Sequence, residues 1–362
     1  MKFKVIRSTF LEGLKSVQNV VDSKVTLPIL KNVLLEGKGG ELVLTTTDLD
    51  LSARATIPCE VGEEGSSTLD VKILSDLISA VAEGEIEVSI DQKERATIQA
   101  GSTTFKIAGL PSSDFPRLPK DEDAFTYTID QAVLKELFRK VSYAASQDDT
   151  RRTLKGVLMS FKDAKVTMVA TDGRRLARVE TPLEFPPDFE KDVILPSKAV
   201  QEVQRALTGD TPIKIMIQKS QICFSINSVI IYSKLMDEVY PNYTQVIPKE
   251  TTEEIAVDRQ GLLDALSRAS AIGKASSIKL IFSDGKLTVT SSASNVGEAK
   301  DEVPVKYMGE KIEIIFNPTY VMDPLKVIDD NEVTIHLNNG HSPAVITCSI
   351  PFLYVIMPLR IS

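Results

Sequence analysis

The stretch Ala170-Thr171-Asp172-Gly173-Arg174-Arg175-Leu176-Ala177 sets the reading of the whole chain. It follows Val166-Thr167-Met168-Val169, whose alternation of apolar and polar side chains is that of a half-buried strand. Asp-Gly then predicts the φ > 0 positions of a tight hairpin turn. Leu176, Arg178 and Val179 continue as the returning strand. On the dipeptide alone this is a plain β-hairpin. Two adjacent arginines on the turn are less ordinary, and the pattern of strand and turn recurs along the chain.

Outward from that turn the same order of elements appears three times. In the first pass, Phe10, Leu14, Val17 and Val21 recur at helical spacing, and Thr9 with Glu12 predicts a capping box at the start of that helix. Residues 29–35, the turn Gly37-Lys38-Gly39-Gly40 and residues 42–48 make a hairpin, and Asp70 caps a second helix carrying Ile73, Leu74, Leu77, Ile78 and Val81. The second pass runs from Asp130 through the Asp-Gly hairpin to a helix opened by Pro196-Ser197. The third starts at Asp258 and reaches a helix opened by Asn317-Pro318. Asp48 and Asp172 are 124 positions apart, and Thr171 and its counterpart Ser292 are 121 apart, each about one third of the 362 residues. The expected fold is α+β, with three similar domains at 1–124, 125–250 and 251–362, each of two helices against antiparallel sheets. The linkers are Pro111 to Asp123, rich in proline, serine and acid, and the polar run Lys249-Glu250-Thr251-Thr252.

Catalytic patterns are missing: no phosphate-binding Gly-rich loop, no nucleophile elbow and no H-E-x-x-H. Cys59, Cys223 and Cys348 lie far apart in or beside apolar runs, and His336 and His341 flank a loop-like Asn-Asn-Gly. Neither set suggests a disulfide framework or a metal centre. The acidic pairs Asp148-Asp149, Asp237-Glu238 and Asp329-Asp330 read as solvated turns. A binding scaffold without catalysis, metal or cofactor is expected. No apolar run is long enough to span a bilayer, and the N-terminus lacks a leader pattern, so the expectation is a cytoplasmic protein with no membrane partner.

A net charge of −8 argues against holding nucleic acid by bulk electrostatics. The predicted helices (9–21, 71–82, 131–144, 198–207, 259–272 and 318–328) nevertheless carry ten basic residues against six acidic ones. If these helices share one face, it attracts phosphate weakly, which permits sliding and not tight static binding.

The chain resembles the bacterial sliding clamps, the β subunits of the replicative DNA polymerase III. The likeness rests on Thr26-Leu27-Pro28-Ile29-Leu30 with Thr47-Asp48-Leu49, on Asp114-Phe115-Pro116, and on Ala170-Thr171-Asp172-Gly173 with Arg175-Leu176. Tyr240-Pro241 with Tyr243, and Tyr354-Val355-Ile356-Met357-Pro358-Leu359-Arg360, complete it in the same order and spacing. The resemblance implies a head-to-tail homodimer closing as a ring of six domains, helices inward, around double-stranded DNA. It implies a groove between the middle and last domains for short motifs of the DNA polymerase III α subunit, the clamp loader, other polymerases and repair proteins. Carried over by position, the deep subsite takes Leu154, Thr171, Gly173, Arg174, Arg175, Leu176, Pro241, Val246, Val355 and Met357. The shallower subsite takes Arg151, Thr153, Tyr320, Pro358, Leu359 and Arg360. Leu176, Val246, Val355 and Met357 would be apolar walls, and Arg151 and Arg175 would orient motif carbonyls or carboxylates. For DNA, Lys24 matches a basic pore loop of the family, and Lys72, Arg139, Lys198 and Arg205 are further candidates. The ring interface is expected around Ile78 and Phe105 on one side and Ile272, Glu298 and Glu302 on the other. Arg174 stands where histidine is frequent, Gln245 where arginine is frequent, and Ile361-Ser362 extend the usual end.

Overall fold

The computed structural model describes residues 1–21, 27–118, 125–185, 190–272, 276–293 and 296–359. Among them lie six α-helices: α1 (Arg7–Val17), α2 (Val71–Ala80), α3 (Gln131–Val141), α4 (Ser197–Ala206), α5 (Arg259–Ser270) and α6 (Pro318–Val327). All strand pairings described are antiparallel, as hairpin-rich sequence with turn residues at short intervals requires.

The chain divides into two compact units, one of Met1–Leu134 with Lys198–Leu235 and one of Lys135–Ser197 with Met236–Ser362. The first unit holds a five-stranded and an eight-stranded sheet, the second an eight-stranded and a four-stranded sheet. The middle third of the sequence therefore contributes to both units. Each eight-stranded sheet is built the same way, by strands of neighbouring thirds pairing side by side. In the first unit Leu51–Pro58 pairs with Val229–Lys234, and in the second Arg175–Pro182 pairs with Phe352–Ile356. The hairpin of the opening stretch thus ends up at a seam between two thirds of the chain.

Helices pack on the sheets through the stripes their sequence predicts. In α1, Phe10, Leu14 and Val17 are fully buried. Gly13 lets that helix lie close to the sheet: a Cβ there would stand 2.8 Å from Leu44 Cδ1 and 3.0 Å from Ile57 Cγ2. Three helices carry side-chain caps, the one at Asp70 as the sequence predicts. Asp70 accepts from Ile73 N (2.9 Å), Asp258 from Gly261 N (2.5 Å), and Asn317 from Thr319 N (2.9 Å).

The capping box at Thr9 and Glu12 does not form. Strand Lys2–Ile6 runs directly into α1, so Ile6 is the cap and Thr9 already lies inside the first turn. The orphan amides find tertiary acceptors, Arg7 N at Gly84 O (2.9 Å) and Ser8 N at Glu83 Oε1 (3.1 Å). The helices predicted over 9–21 and 131–144 are shorter at their C-terminal ends, each finishing in a 3-10 turn, Gln18–Val20 and Ser142–Ala144.

Candidate functional site

The Asp-Gly turn is built by its own side chains. Asp172 Oδ1 accepts from Arg174 N (2.9 Å) and Arg175 N (3.0 Å). Thr171 Oγ1 accepts from Gly173 N (3.0 Å) and donates to Arg175 O (2.6 Å). Only Gly173 of the two predicted positions is left-handed, at φ 84°. Arg151 Nη1 lies over it, donating to Asp172 O (2.9 Å), and a Cβ on Gly173 would stand 2.8 Å from that nitrogen.

Arg175 turns inward. Its Nε donates to Asp172 Oδ2 (3.1 Å), Nη1 to Asp323 Oδ2 (2.6 Å) and Nη2 to Tyr143 O (2.7 Å). The guanidinium stacks on the Tyr320 ring at 4.4 Å. Burial works against its charge, but the carboxylates of Asp323 and Asp172 more than compensate and raise its pKa. The guanidinium expected to orient a bound motif is thus engaged within the chain. Its donor groups hold the turn to α6 and to the 3-10 turn after α3.

A proline in α6 explains one further tie. Pro324 has no N–H, so the carbonyl of Tyr320, four residues earlier, lacks its helical donor. Tyr354 Oη donates to that carbonyl at 2.7 Å and fastens α6 to strand Phe352–Ile356. Burial pushes the Tyr354 hydroxyl pKa up, keeping it a donor.

Beyond the turn lies an apolar floor. Leu176 and Val355 sit directly opposite each other on paired strands, both buried, in a cluster with Leu158, Val169, Ile194 and Val345. Met236, Tyr240, Tyr243, Ile247 and Leu353 pack against that cluster while partly exposed. Leu176 and Val355 are thus floor, not wall. Val246, Met357 and Leu359 remain exposed at 49%, 42% and 40%. Val246 ends the 3-10 turn Tyr243–Val246, which carries Tyr243 onto the cluster. Met357 N donates to Arg174 O (2.9 Å), placing Met357 beside the arginine turn. Leu359 N donates to Ile315 O (2.8 Å). Thr153 and Leu154 are half-buried in the 3-10 turn Arg152–Lys155. Thr171 is buried; Pro358 and Tyr320 are half-buried; Arg151, Arg174 and Pro241 are exposed. Arg360 lies outside the described residues. Sequence reasoning missed Asp323, Tyr143 and Pro324. Their one legible signal was a proline four residues after Tyr320 within a helical pattern.

In the first unit, Lys72, Lys198 and Arg205 line one recess of about 780 Å³ together with Lys31, Asp70, Asp76 and Glu202. Lys198 Nζ is engaged, with Asp48 Oδ2 (2.5 Å) and Val20 O (2.9 Å). Arg205 pairs with Glu202, whose carboxyl burial pushes up in pKa against the pull of Arg205 and Lys198. Lys72 is exposed and has no hydrogen bond or ion pair among the described residues. In the second unit Arg139 bonds to Glu136 and, at 2.7 Å, to Asp329. Of the DNA candidates, then, Lys72 keeps its charge free, while Arg139, Lys198 and Arg205 are partly neutralised by acids nearby. Lys24 lies outside the described residues.

The DNA polymerase III beta subunit family matches the chain in three consecutive pieces: its N-terminal domain over residues 1–119, its central domain over 128–242 and its C-terminal domain over 244–360. This chain belongs to the DNA polymerase III β subunit family. The beta sliding clamp of Chlamydia muridarum is 36% identical over 363 residues, covering 100% of this chain and 99% of the relative. The solved DNA polymerase III subunit beta of Pseudomonas aeruginosa superposes with a TM-score of 0.93 at 31% identity, over 100% of both chains. A sliding clamp of Bartonella birtlesii bound to griselimycin gives 0.95 at 33% identity, again over 100% of both.

Within this family frame the expected interface residues divide. Phe105 is half-buried on strand Thr103–Ala108, an edge of the five-stranded sheet. Glu298 and Glu302 are exposed on strand Gly297–Pro304, an edge of the four-stranded sheet, and Ile272 is half-buried just after α5. Ile78 is corrected: it is 0% exposed, on the buried face of α2 among its own core, and offers no surface to a partner.

Proposed function

We propose that the chain is a non-catalytic DNA sliding clamp that encircles duplex DNA as a head-to-tail homodimer and tethers the replicative polymerase. Its domains are 1–124, 125–250 and 251–362. The ring holds DNA topologically, so a weakly basic inner face suffices and the clamp slides. The tether raises the effective concentration of polymerase at the primer end. No helix among the described residues is long and apolar enough to cross a membrane, and we assign the protein to the cytoplasm.

The observation that carries the reading of the groove is an apolar floor, Leu176 against Val355, beside the exposed apolar side chains Val246 and Met357. Apolar anchors of a short linear motif fit such a floor, and an adaptable methionine suits several partners. Arg151, Thr153, Leu154, Pro241, Tyr320, Pro358 and Leu359 complete the groove. The α subunit, the clamp loader, other polymerases and repair proteins are the assigned partners. Griselimycin, bound by clamps of Bartonella birtlesii and Pseudomonas aeruginosa, is assigned to the same groove here.

Two experiments test this. The protein is loaded on nicked circular DNA, which is then linearised: release from free ends is expected, and retention on linear DNA overturns encirclement. Leu176→Ala with Met357→Ala is expected to weaken griselimycin binding at least tenfold in calorimetry and to leave the dimer mass unchanged. Loss of the dimer instead would mean that the groove is misplaced.

A further inference from the structure

The geometry points to Asp323 as a positioning residue for the partner groove: its carboxylate holds Arg175, and through Arg175 it presets both subsites without touching the bound motif. The inference rests on the groove reading above.

Asp323 and Tyr320 lie three residues apart in α6, so they share a helix face. Arg175 Nη1 donates to Asp323 Oδ2 at 2.6 Å, while the same guanidinium plane lies on the Tyr320 ring at 4.4 Å. The pair is largely removed from solvent, with side chains 10% and 18% exposed. Besides Arg175, Asp323 has Lys326 within 3.5 Å on its own helix. The Arg175 guanidinium has acceptors on three separate segments of the chain, namely the carboxylate of Asp172 in the turn, the carboxylate of Asp323 in α6 and the backbone carbonyl of Tyr143 in the 3-10 turn after α3.

Removing Asp323 leaves a buried guanidinium one acceptor short, and a guanidinium so placed reorients toward solvent or toward Asp172. Either movement takes the Tyr320 ring and the turn at Gly173 with it. Those are the shallow and the deep ends of the groove. A preset groove binds more tightly because less ordering is left for the moment of binding. The planar fork is essential to this role, since an ammonium cannot serve three acceptors in one plane.

The test uses the full-length dimer and griselimycin as probe, measured by calorimetry. Asp323→Ala is expected to weaken binding at least tenfold, and Asp323→Asn, which keeps an acceptor oxygen, to stay within threefold of the original protein. In an Arg175→Met background, adding Asp323→Ala is expected to change binding less than twofold, because the carboxylate acts only through the arginine. Original affinity in Asp323→Ala, or additive losses in the double variant, overturns the proposal. Arg175→Lys keeps the positive charge and is the second probe, expected to lose at least tenfold. Original affinity there overturns the proposal even where Asp323→Ala does not fold. The Leu176→Ala, Met357→Ala control separates the two readings: if it binds griselimycin normally, the groove itself is wrong, whereas if it fails to bind and Asp323→Ala binds normally, only the role of Asp323 is wrong.

Discussion

At Leu49 the backbone adopts φ 80°, a left-handed conformation costly for a branched side chain, and at Gly173 it adopts φ 84°. The two residues occupy the same place in the same turn, 124 positions apart. Asp48 Oδ1 accepts from Asp50 N and Leu51 N as Asp172 Oδ1 accepts from Arg174 N and Arg175 N. Thr47 Oγ1 serves Leu49 N and Leu51 O as Thr171 Oγ1 serves Gly173 N and Arg175 O. The Thr-Asp side chains therefore define the turn, and glycine is dispensable to it. Thr-Asp was visible in both places, but sequence reading credited the glycine. Leu49→Gly is expected to stabilise the protein by up to about 1 kcal/mol, since Leu49 is half exposed and gives up strain with little burial. Gly173→Ala is expected to destabilise it by about 1–2 kcal/mol, through the left-handed φ and the clash with Arg151. Chemical denaturation of both variants measures the contrast.

Among elements, α6 shows how a sequence defect becomes a tertiary bond. Pro324 opens the carbonyl of Tyr320, and Tyr354 Oη closes it. Tyr354→Phe leaves the part-buried carbonyl of Tyr320 without this donor and is expected to cost about 1 kcal/mol. Adding Pro324→Ala restores the helical donor and is expected to recover much of that loss, as thermal unfolding of the single and double variants would reveal. A second link joins α3 to the segment after α6. Glu136 and Asp329 receive Arg139 and Lys140. Burial opposes ionisation of both carboxyls, but hydrogen bonds and charge from the two bases outweigh it, so both titrate below their usual 4.5 and 3.8. A depressed folded-state pKa gives stability that is present above the unfolded value and lost as pH falls through the folded one. Glu136→Gln should thus be less stable than the original protein above about pH 5, and the gap should close as pH falls below about 4. Unfolding midpoints across that range decide it; a gap that persists in acid would show that the ion pairs contribute nothing.

For the whole molecule, the proposed ring turns on sheet edges that no other described strand pairs with, ready templates for another chain. Strand Thr103–Ala108 carries Phe105 and Lys106, and strand Gly297–Pro304 carries Glu298 and Glu302. Phe105→Asp is expected to yield monomers at micromolar concentration in sedimentation, with the melting of the remaining fold little changed. Ile78→Ala is expected to behave oppositely, costing about 2–5 kcal/mol of stability through a core cavity without itself removing an interface contact. Dissociation by Ile78→Ala with unchanged stability would contradict the burial that assigns Ile78 to the core.

The sequence by itself determined the α+β class, the threefold order of elements, the Asp70 helix cap and the family. Each of these follows from short-range periodicity, turn chemistry and ordered motifs, which are written locally in the chain. Only the tertiary structure decided what the residues around the opening turn do. Arg175 reads as a surface arginine on a hairpin, yet its acceptors come from Tyr143 and Asp323, one of them 148 positions away. Ile78 reads as one of several apolar residues on α2, and Thr9 as a cap, until packing and the preceding strand assign their places. Partners that distant are chosen by the pairing of strands from different thirds of the chain, and no local pattern encodes that pairing. The Asp-Gly turn was legible as a turn from eight residues. Its place on the seam, with an apolar floor beside it, came from the strand it pairs with.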